Sequence, residues 1–368
     1  MSKKVIIAAV SARPYVQAAV AAGYEVIALD AFADSDTQSV ATAAYAIKYG
    51  QNGFDMADFE ACLKKIDCSD VVGFAYASGF DAASDLLEKV SQRIPLIGNS
   101  PKVVRNLKRP LQLFTLLNVL QIPHPEVSFK PLENATGWLY KHCGGSGGTH
   151  IRKALPLTSI SPQPGYYFQR EAQGVPISLL FAANGLQIRV VGFNMQWLSP
   201  SPAMPYRYGG AVSNVELPES AKQQLMYAAQ QLTLAVGLRG LNSLDAMLDG
   251  DQVQVLEVNP RLSATFDLYQ SAECNLFDLH VRACDRDISA WPPIAQRAKA
   301  HHIVYAPCNL TLPDSTEWPD WVADIPPSGS VIAADSPLCT LFAEADSADE
   351  AQKLVMLRTH ALLSLIAQ

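Results

Sequence analysis

The sequence predicts a mixed fold, with an α/β region built on a parallel sheet, then an α+β region with hairpins, and a C-terminal extension. Strand and helix patterns alternate through the first hundred residues. From Trp138 to Val212 the pattern changes to strands joined by a glycine loop and hairpins, and from about His301 the chain has further strands and Pro-rich turns. A chain of 368 residues is long enough for two or three domains with a sizeable core.

The alternation in the first hundred residues is typical of βαβ units, which form parallel sheets. The predicted strands are residues 5–10, 24–30, 71–76 and 95–97, and the predicted helices are residues 14–22 and 81–90. The first strand-to-helix turn, residues 10–14, lacks the GxGxxG glycines that let a dinucleotide phosphate approach the backbone. Asp30 stands where a ribose-binding acid would lie, but without those glycines we do not expect a dinucleotide site.

Proline and glycine mark the helices that follow. Helices are predicted over residues 101–106 and 110–120, and the second is expected to bury Leu111, Phe114, Leu117 and Leu120. An amphipathic helix is predicted over residues 218–236, where Gly237 ends it, and a last helix over residues 348–367.

Composition excludes several classes of protein. The net charge of −7 argues against a nucleic-acid binder with a general basic surface. No apolar run approaches the roughly 20 residues that span a bilayer, and the six apolar residues 5–10 fit a strand better than a signal peptide. The seven cysteines are scattered without a CxxC pair, so neither a disulfide framework nor a zinc site is indicated. We therefore expect a cytoplasmic protein.

The most informative segment is residues 257–262, Glu-Val-Asn-Pro-Arg-Leu, which follows a β-rich run. Glu257 and Asn259 are two apart at the end of a strand, so their side chains point the same way. Arg261 stands just beyond a proline. Mg²⁺ prefers oxygen ligands, usually one or two carboxylates completed by water and phosphate oxygens. The segment therefore predicts a site for a hard cation and a phosphate.

The preceding strand, residues 241–248, supplies a second acid, Asp245. If residues 249–251 form a three-residue turn, Leu248 faces Gln252, Asp245 faces Val255, and Asp245 shares a sheet face with Glu257, one diagonal step away. A loop one residue shorter or longer would put the two acids on opposite faces. The alternative is that both are solvated polar residues at strand ends.

A glycine-rich loop lies at the end of a short strand. Lys141 precedes the loop residues Gly144, Gly145, Ser146, Gly147 and Gly148. Glycines let backbone N–H groups turn towards a phosphate, and the lysine adds a point charge for the same anion. The GK[ST] ending of a P-loop is absent. The alternative interpretation is a flexible surface hairpin.

A third polar segment, residues 168–174, ends another strand. An adenine could take main-chain hydrogen bonds near Gln169 and Ala172 while Glu171 meets the ribose hydroxyls. An ordinary edge strand with alternating polar residues explains the pattern equally well.

Taken in order, these elements resemble an ATP-grasp enzyme over about residues 1–290. The resemblance implies that Asp245, Glu257 and Asn259 bind Mg²⁺, that Lys141 binds the phosphates of ATP, and that Arg261 steadies the transferred phosphoryl group. It also implies an order of domains. These are a Rossmann-like domain (1–99), a small subdomain with the glycine loop (100–175) and a large subdomain with the metal ligands (176–300). The strands, turns and final helix of residues 301–368 predict a C-terminal extension beyond the resemblance.

Residues 196–198, 206–211 and 298–307 resemble a narrower branch, the bacterial ATP-grasp proteins of tetrahydromethanopterin- and methanofuran-dependent one-carbon metabolism, which are similar to tyramine–glutamate ligase. One position departs from the family pattern. Many relatives carry an Asp-Lys pair whose lysine touches nucleotide, and Pro110 falls where that lysine should be. Lys108 or Arg109 is the replacement that the sequence offers.

The resemblance implies an ATP- and Mg²⁺-dependent ligase that joins a small-molecule carboxylate to an amine through an acyl phosphate, and it allows a homodimer. Arg207, with Tyr208 and the two glycines after it, forms a wall for the carboxylate substrate or else a structural turn. The alternative function is a non-catalytic ATP-binding or regulatory protein that keeps the fold. A nicotinamide dehydrogenase is disfavoured because the glycine fingerprint is missing.

Overall fold

The first hundred residues form a five-stranded parallel sheet in a computed structural model of the protein, which describes residues 3–154, 162–289, 297–314 and 316–366. The elements of this region are β1 (Lys3–Ala9), α1 (Arg13–Ala21), β2 (Tyr24–Asp30), α2 (Ser35–Gln38), β3 (Ala43–Ala46), β4 (Tyr49–Gly50), β5 (Gly53–Phe54), α3 (Met56–Leu63), β6 (Val71–Tyr76), α4 (Ser84–Ser91) and β7 (Leu96–Ile97). The parallel strands lie in the order β3-β2-β1-β6-β7, which confirms the predicted parallel sheet.

Strand β1 lies at the centre of this sheet. Its residues from Val5 to Ala9 are fully buried, as expected of a parallel strand covered on both faces. The chain leaves β1 for β2 and β3 on one side and returns to β6 and β7 on the other, so the strand order reverses between β1 and β6. Ligands of such sheets bind at the carboxyl ends of the strands beside this reversal. Arg13 follows β1 and Asp81 follows β6 at this edge.

Two helices, α5 (Pro101–Lys108) and α6 (Pro110–Val119), follow the parallel sheet. The buried residues of α6 are Pro110, Leu113, Phe114 and Leu117, a face with helical spacing. The prediction that Leu111 is buried is wrong, because this face leaves its side chain on the solvent side with 56% exposure.

A small antiparallel sheet carries the glycine loop. Its strands are β8 (Val127–Ser128), β9 (Trp138–His142), β10 (Ile151–Lys153) and β11 (Tyr166–Arg170), in the order β10-β9-β11-β8. The loop connects β9 to β10. Lys141 therefore lies on a strand that is paired on both sides, which fixes its position relative to the loop.

An eight-stranded antiparallel sheet forms most of the rest. The elements after β11 are β12 (Val175–Asn184), β13 (Ile188–Leu198), β14 (Tyr208–Val212), α7 (Glu219–Val236), β15 (Arg239–Asp249), β16 (Gln252–Asn259), a 3₁₀ turn (Ala264–Leu268), α8 (Leu276–Cys284), β17 (Ala298–Tyr305), β18 (Leu310–Thr311), β19 (Val322–Ala323), β20 (Val331–Ile332), β21 (Pro337–Ala345) and α9 (Ala348–Ile366). The sheet order is β16-β15-β12-β13-β14-β17-β21-β19. The predicted boundary between the large subdomain and the C-terminal extension, at residue 300, falls inside β17. The last helix was predicted to end at Ala367, which lies outside the described residues.

The large sheet is covered on both faces. Neighbouring residues of β12 point to opposite sides, so Leu179 packs in the core that includes Leu232 of α7, while Leu180 packs in the core that includes Phe277 of α8 and Val16 of α1. The second core joins the parallel sheet to the large sheet. Within the described ranges, no helix has the length and hydropathy needed to cross a bilayer.

The turn after β2 carries several acids that meet the C-terminal part of the chain. Asp36 accepts hydrogen bonds from the backbone N–H groups of Asp324 (2.8 Å) and Ile325 (3.1 Å). Asp34 is only 4% exposed, and within the described residues its Oδ2 atom has no hydrogen-bond partner. Burial, with the charges of Asp324, Asp30 and Asp36, raises the pKa of Asp34 to about 8, although Arg13 opposes the change.

This raised pKa predicts a pH-dependent stability. The folded protein holds the Asp34 proton more tightly than the unfolded chain does. The contribution of protonated Asp34 to the free energy of unfolding is therefore fully present below about pH 4, and it is lost as the pH rises towards 8. Asp34→Asn should remove this loss. Between pH 5 and pH 8, the wild type should lose at least about 1.4 kcal/mol more unfolding free energy than the variant, the value of one pKa unit.

Urea denaturation at the two pH values measures the difference. Asp320→Asn, at an exposed position, is the matched control and should follow the wild type at both pH values. Equal pH dependence in the wild type and Asp34→Asn would contradict the prediction.

Candidate functional site

The β15–β16 hairpin carries the predicted metal ligands, and its loop is shorter than predicted. The loop consists of residues 250 and 251 alone, so Leu248 pairs with Val253. The predicted pairing of Leu248 with Gln252 is therefore wrong. The Asp-Gly-Asp sequence fits both a two-residue and a three-residue hairpin loop, so it does not by itself choose between them.

A β-bulge compensates for the shorter loop. The loop register alone would place Asp245 opposite Leu256 and turn Glu257 to the other face. The register shifts between Asp245 and Ala246, so that Asp245 pairs directly with Glu257 rather than with Val255, as had been predicted. The two acids therefore share a face, by a route that differs from the predicted one.

We call Asp245, Glu257 and Asn259 the hairpin cluster. The Asn259 Nδ2 atom donates to Asp245 Oδ2 at 2.9 Å, and Gln196 Nε2 donates to Asp245 Oδ1 at 3.2 Å. These bonds orient the Asp245 carboxylate and direct the Asn259 amide oxygen away from it. Gln196 was not recognised from the sequence as part of the site. It comes from β13, which is not adjacent to β15 in the sheet.

Two cationic side chains, those of Lys108 and Arg261, donate hydrogen bonds to this cluster. Lys108, the last residue of α5, donates through Nζ to Glu257 Oε1 and to Asn259 Oδ1 at 2.6 Å. Arg261 donates through Nη2 to Asn259 Oδ1 at 3.1 Å. Both cations also pair with Asp81, at 3.1 Å from Lys108 Nζ and 3.0 Å from Arg261 Nε.

Asp81 is a site residue that the sequence reasoning missed. It is buried and follows β6, at the edge of the sheet where the strand order reverses. That topological position was the available signal. Burial alone would raise the pKa of Asp81, but the charges of Arg261 and Lys108 lower it to about 2. The carboxylate therefore stays ionised at neutral pH.

The two acids of the hairpin cluster differ in their electrostatic surroundings. Burial and the charge of Glu257 raise the pKa of Asp245. Burial also opposes ionisation of Glu257, but Lys108 and Lys141 outweigh it and hold the pKa of Glu257 below its ordinary value. Glu257 is therefore the stronger acid of the pair.

Lys141 approaches from the small sheet. Its Nζ atom donates to Gln169 Oε1 at 2.9 Å and lies 5.9 Å from the ring centroid of Tyr167. Burial lowers the pKa of Lys141, and the charge of Glu257 opposes this change. Within the described residues, Gln169 Nε2 and the Nδ1 atoms of His142 and His150 are buried without hydrogen-bond partners. Several buried polar atoms without partners indicate a place where a polar ligand would find hydrogen-bond partners.

The glycine loop and one member of the hairpin cluster, Glu257, line the same narrow cleft. Its walls include Lys108, Lys141, Gly144, Gly145 and Glu257, and its volume is about 30 Å³. That is room for roughly two water molecules. A nucleotide would therefore require the small sheet to move away from α5, α6 and the end of β16. A larger cavity of about 530 Å³, whose lining includes Asn184, Arg189 and Ser289, contains none of these side chains.

The glycine loop lies against the start of β14. The N–H of Tyr208 donates to the Gly147 carbonyl oxygen at 2.9 Å, and Thr149 Oγ1 donates to the Ser146 carbonyl oxygen at 3.3 Å. Gly148 has φ +69° and lies so close to Tyr206 that a Cβ atom would overlap its carbonyl oxygen. Only glycine fits this position without moving the backbone.

We expect Gly148→Ala to displace the loop and to destabilise the protein more than Gly147→Ala. Both glycines have positive φ, so each substitution should cost roughly 1–2 kcal/mol in backbone strain. A Cβ at Gly147 meets no atom within 4 Å, whereas one at Gly148 meets backbone. The melting temperature should fall further in Gly148→Ala, and equal effects at the two positions would contradict this packing.

The residues predicted to contact adenine and ribose lie at the end of β11 and in its connection to β12. Gln169 points to Lys141, as described above. The Glu171 carboxylate accepts a hydrogen bond from the Tyr206 hydroxyl at 2.6 Å, and the Glu171 N–H donates to the Gly137 carbonyl oxygen at 2.9 Å. Ala172 follows in the half-buried connection to β12.

Arg207 is held by the C-terminal part of the chain. Its guanidinium donates to the Ser199 carbonyl oxygen at 2.8 Å and to Asp335 Oδ1 at 3.0 Å, and it lies 3.6 Å over the Tyr305 ring. The next residue, Tyr208, bonds His301 Nε2 through its hydroxyl at 2.8 Å. Arg207 thus fixes the strand that supports the glycine loop, and its contact with a substrate stays a prediction.

Comparison with known proteins agrees with this architecture. Residues 111–265 match a family model described as an ATP-grasp domain. No curated protein matches the chain at a significant level. Among solved structures, the biotin carboxylase domain of Hydrogenobacter thermophilus 2-oxoglutarate carboxylase, in complex with MgADP, ADP and bicarbonate, has a TM-score of 0.71 at 11% identity over 94% of this chain and 87% of that one.

Two other solved structures are similar. The L-amino acid ligase of Bacillus licheniformis has a TM-score of 0.70 at 12% identity, over 96% of each chain. N5-carboxyaminoimidazole ribonucleotide synthetase from Thermus thermophilus has a TM-score of 0.68 at 14% identity, over 96% of this chain and 97% of that one. At these identities the likeness establishes the fold alone.

Proposed function

We propose that this chain, which has the ATP-grasp fold, is a Mg²⁺- and ATP-dependent ligase that joins a carboxylate to an amine through an acyl phosphate. The observation that carries the proposal is the pairing of Asp245 with Glu257 on one sheet face, with lysines on both sides of the adjoining cleft. Paired acids suit a divalent cation, and the lysines suit the phosphates that the cation would accompany.

The donor set fits both ATP and Mg²⁺. Asp245, Glu257 and Asn259 offer the carboxylate and amide oxygens that a hard cation prefers, and bound Mg²⁺ would neutralise charge on the phosphates. Lys141, Lys108 and the backbone of residues 144–148 would hold the phosphates, and Gln169, Glu171 and Ala172 would meet the nucleoside. The unpaired Gln169 Nε2 atom supports a polar ligand beside Lys141.

The proposed reaction has two steps. An oxygen of the substrate carboxylate attacks the γ-phosphorus, the bond to the β–γ bridging oxygen breaks, and ADP leaves. The amine nitrogen then attacks the acyl carbon, inorganic phosphate leaves, and the nitrogen loses a proton to solvent. This chemistry needs positioning and charge stabilisation rather than a protein nucleophile, and Arg261 would steady the phosphoryl group in transfer.

The segments that resemble the one-carbon branch support a common substrate wall. Trp197, Gly210 and His302 lie side by side on β13, β14 and β17, and Trp197 Nε1 donates to His302 Nδ1 at 3.0 Å. We propose that this wall, together with Arg207, selects small-molecule substrates in the biosynthesis of a one-carbon-carrier cofactor in the cytoplasm. A homodimer stays a prediction.

Phosphate release tests the proposed activity. The protein is incubated with ATP, Mg²⁺ and a panel of acids and amines, and release that depends on both an acid and an amine is the expected result. ATP binding without turnover across the panel would instead favour the alternative, a non-catalytic ATP-binding or regulatory protein.

Lys141→Ala should weaken ATP binding at least about tenfold, because a hydrogen bond to a charged group contributes about 1.5–3 kcal/mol. Isothermal titration calorimetry with ATP and Mg²⁺ measures the change. Lys130→Ala, at an exposed position near the small sheet, is the matched control. Unchanged affinity in Lys141→Ala would remove this lysine from the nucleotide site.

A further inference from the structure

The Lys108 ammonium group lies among the oxygen atoms that are proposed to hold the metal. It contacts Glu257 Oε1, Asn259 Oδ1 (2.6 Å) and Asp81 Oδ1 (3.1 Å), and the residue is only 7% exposed. Two of these three acceptors belong to the hairpin cluster. A cationic side chain of the protein therefore occupies part of the proposed metal site.

Hydrogen bonds already use both lone pairs of the Asn259 amide oxygen, so a metal ion cannot bind this atom at the same time. An amide oxygen has two lone pairs. One accepts from Lys108 Nζ and the other from Arg261 Nη2 at 3.1 Å, while the Asn259 Nδ2 atom donates to Asp245. A metal ion could take Asn259 Oδ1 only if one of the two cationic side chains withdrew.

Lys108 is the side chain that can withdraw. Arg261 is fixed by bonds from Nε to both oxygens of Asp81, at 3.0 and 3.1 Å, and by a bond from Nη1 to the Leu262 carbonyl oxygen at 3.1 Å. Lys108 ends α5 and borders the cleft that also contains Lys141 and the glycine loop. A lysine has a flexible stem and three donors, so a phosphate in the cleft would offer its ammonium group new acceptors.

We propose that Lys108 is a resident counter-ion of the metal site, and that its ammonium group and a divalent cation are alternative occupants. The inference rests on the proposed function. In the nucleotide-free protein, Lys108 neutralises Glu257 and keeps divalent cations out. When a nucleotide enters with its metal, the phosphates attract Lys108 and free the oxygen atoms for the ion. Metal and nucleotide therefore bind as one unit.

Binding of Mn²⁺ alone, measured by electron paramagnetic resonance without nucleotide, tests the inference. Lys108→Met should bind Mn²⁺ at least tenfold more tightly than the wild type, because the competing cation is gone. Lys108→Arg keeps the positive charge and should resemble the wild type. The double variant Lys108→Met/Glu257→Gln should lose the gained affinity, which would locate the ion at the hairpin cluster.

Lys108→Met that is folded and binds Mn²⁺ no more tightly than the wild type would overturn the inference. Circular dichroism and thermal unfolding check the fold. If Lys108→Met does not fold, Lys108→Gln, which keeps a hydrogen-bonding side chain for Asp81, is measured for Mn²⁺ affinity in its place. Mn²⁺ with ATP is measured on the wild type in parallel. If the wild type fails to bind MnATP, the proposed function fails. If it binds MnATP and the Lys108 variants gain no affinity for Mn²⁺ alone, only the inference about Lys108 fails.

Discussion

If the proposed function is correct, Glu257→Gln is expected to reduce ATP-dependent turnover by at least about 100-fold, comparable to the loss of one preorganised electrostatic group in an enzyme active site. Glutamine keeps the shape of the side chain but removes the charge that faces Asp245 across the hairpin. A neutral amide is a poorer ligand for a hard cation than a carboxylate. With Glu257 neutral, the proposed metal would be held by one carboxylate instead of two.

The fold of Glu257→Gln should remain intact. The Glu257 side chain is 29% exposed, and Lys108 keeps Asp81 and Asn259 as partners after the change. Circular dichroism and thermal unfolding should therefore resemble those of the wild type, while phosphate release falls. Glu216→Gln, at an exposed position, is the control that should retain activity. Near-normal turnover in Glu257→Gln would count against the metal assignment.

Local rules were sufficient for the parts of the site that lie within one strand. The alternation of side chains along β16 predicts that Glu257 and Asn259 point the same way, and Asn259 does contact Asp245 across the hairpin. The shared sheet face of Asp245 and Glu257 was predicted correctly but for the wrong reason, and the two acids pair directly instead of lying one diagonal step apart. A shorter loop and a compensating bulge each shift the register by one residue, and neither leaves a clear signal in the sequence.

Long-range contacts account for most of what the sequence did not predict. Asp81 is separated from Arg261 by 180 residues, and Lys108 from Glu257 by 149 residues, so no local pattern connects them. The exposure of Leu111 has the same origin, because the surfaces that α6 meets select its buried face. Composition alone identifies such side chains as polar or apolar, and the topology decides which of them meet.

The largest structural effect is expected at Arg13, which follows β1 and is 5% exposed. Its guanidinium pairs with Asp267, after the hairpin cluster, and through Nε with Asp324 Oδ1 at 2.9 Å in the C-terminal part of the chain. It also lies 5.4 Å over the Phe342 ring. One side chain therefore ties the parallel sheet to two distant segments.

Arg13→Met should lower the free energy of unfolding by about 3–5 kcal/mol, because removing one partner of a buried ion pair leaves the other charges buried and uncompensated. Methionine keeps much of the apolar volume, so the effect reports mainly on charge. Urea denaturation followed by tryptophan fluorescence measures it at neutral pH. The control is Arg297→Met, which breaks an exposed pair with Asp346 (3.1 Å) and should cost less than about 1 kcal/mol. If the two variants were equally stable, apolar contacts rather than the ion pairs of Arg13 would hold this junction together. Asp267 and Asp324 would then have to be neutral or solvated.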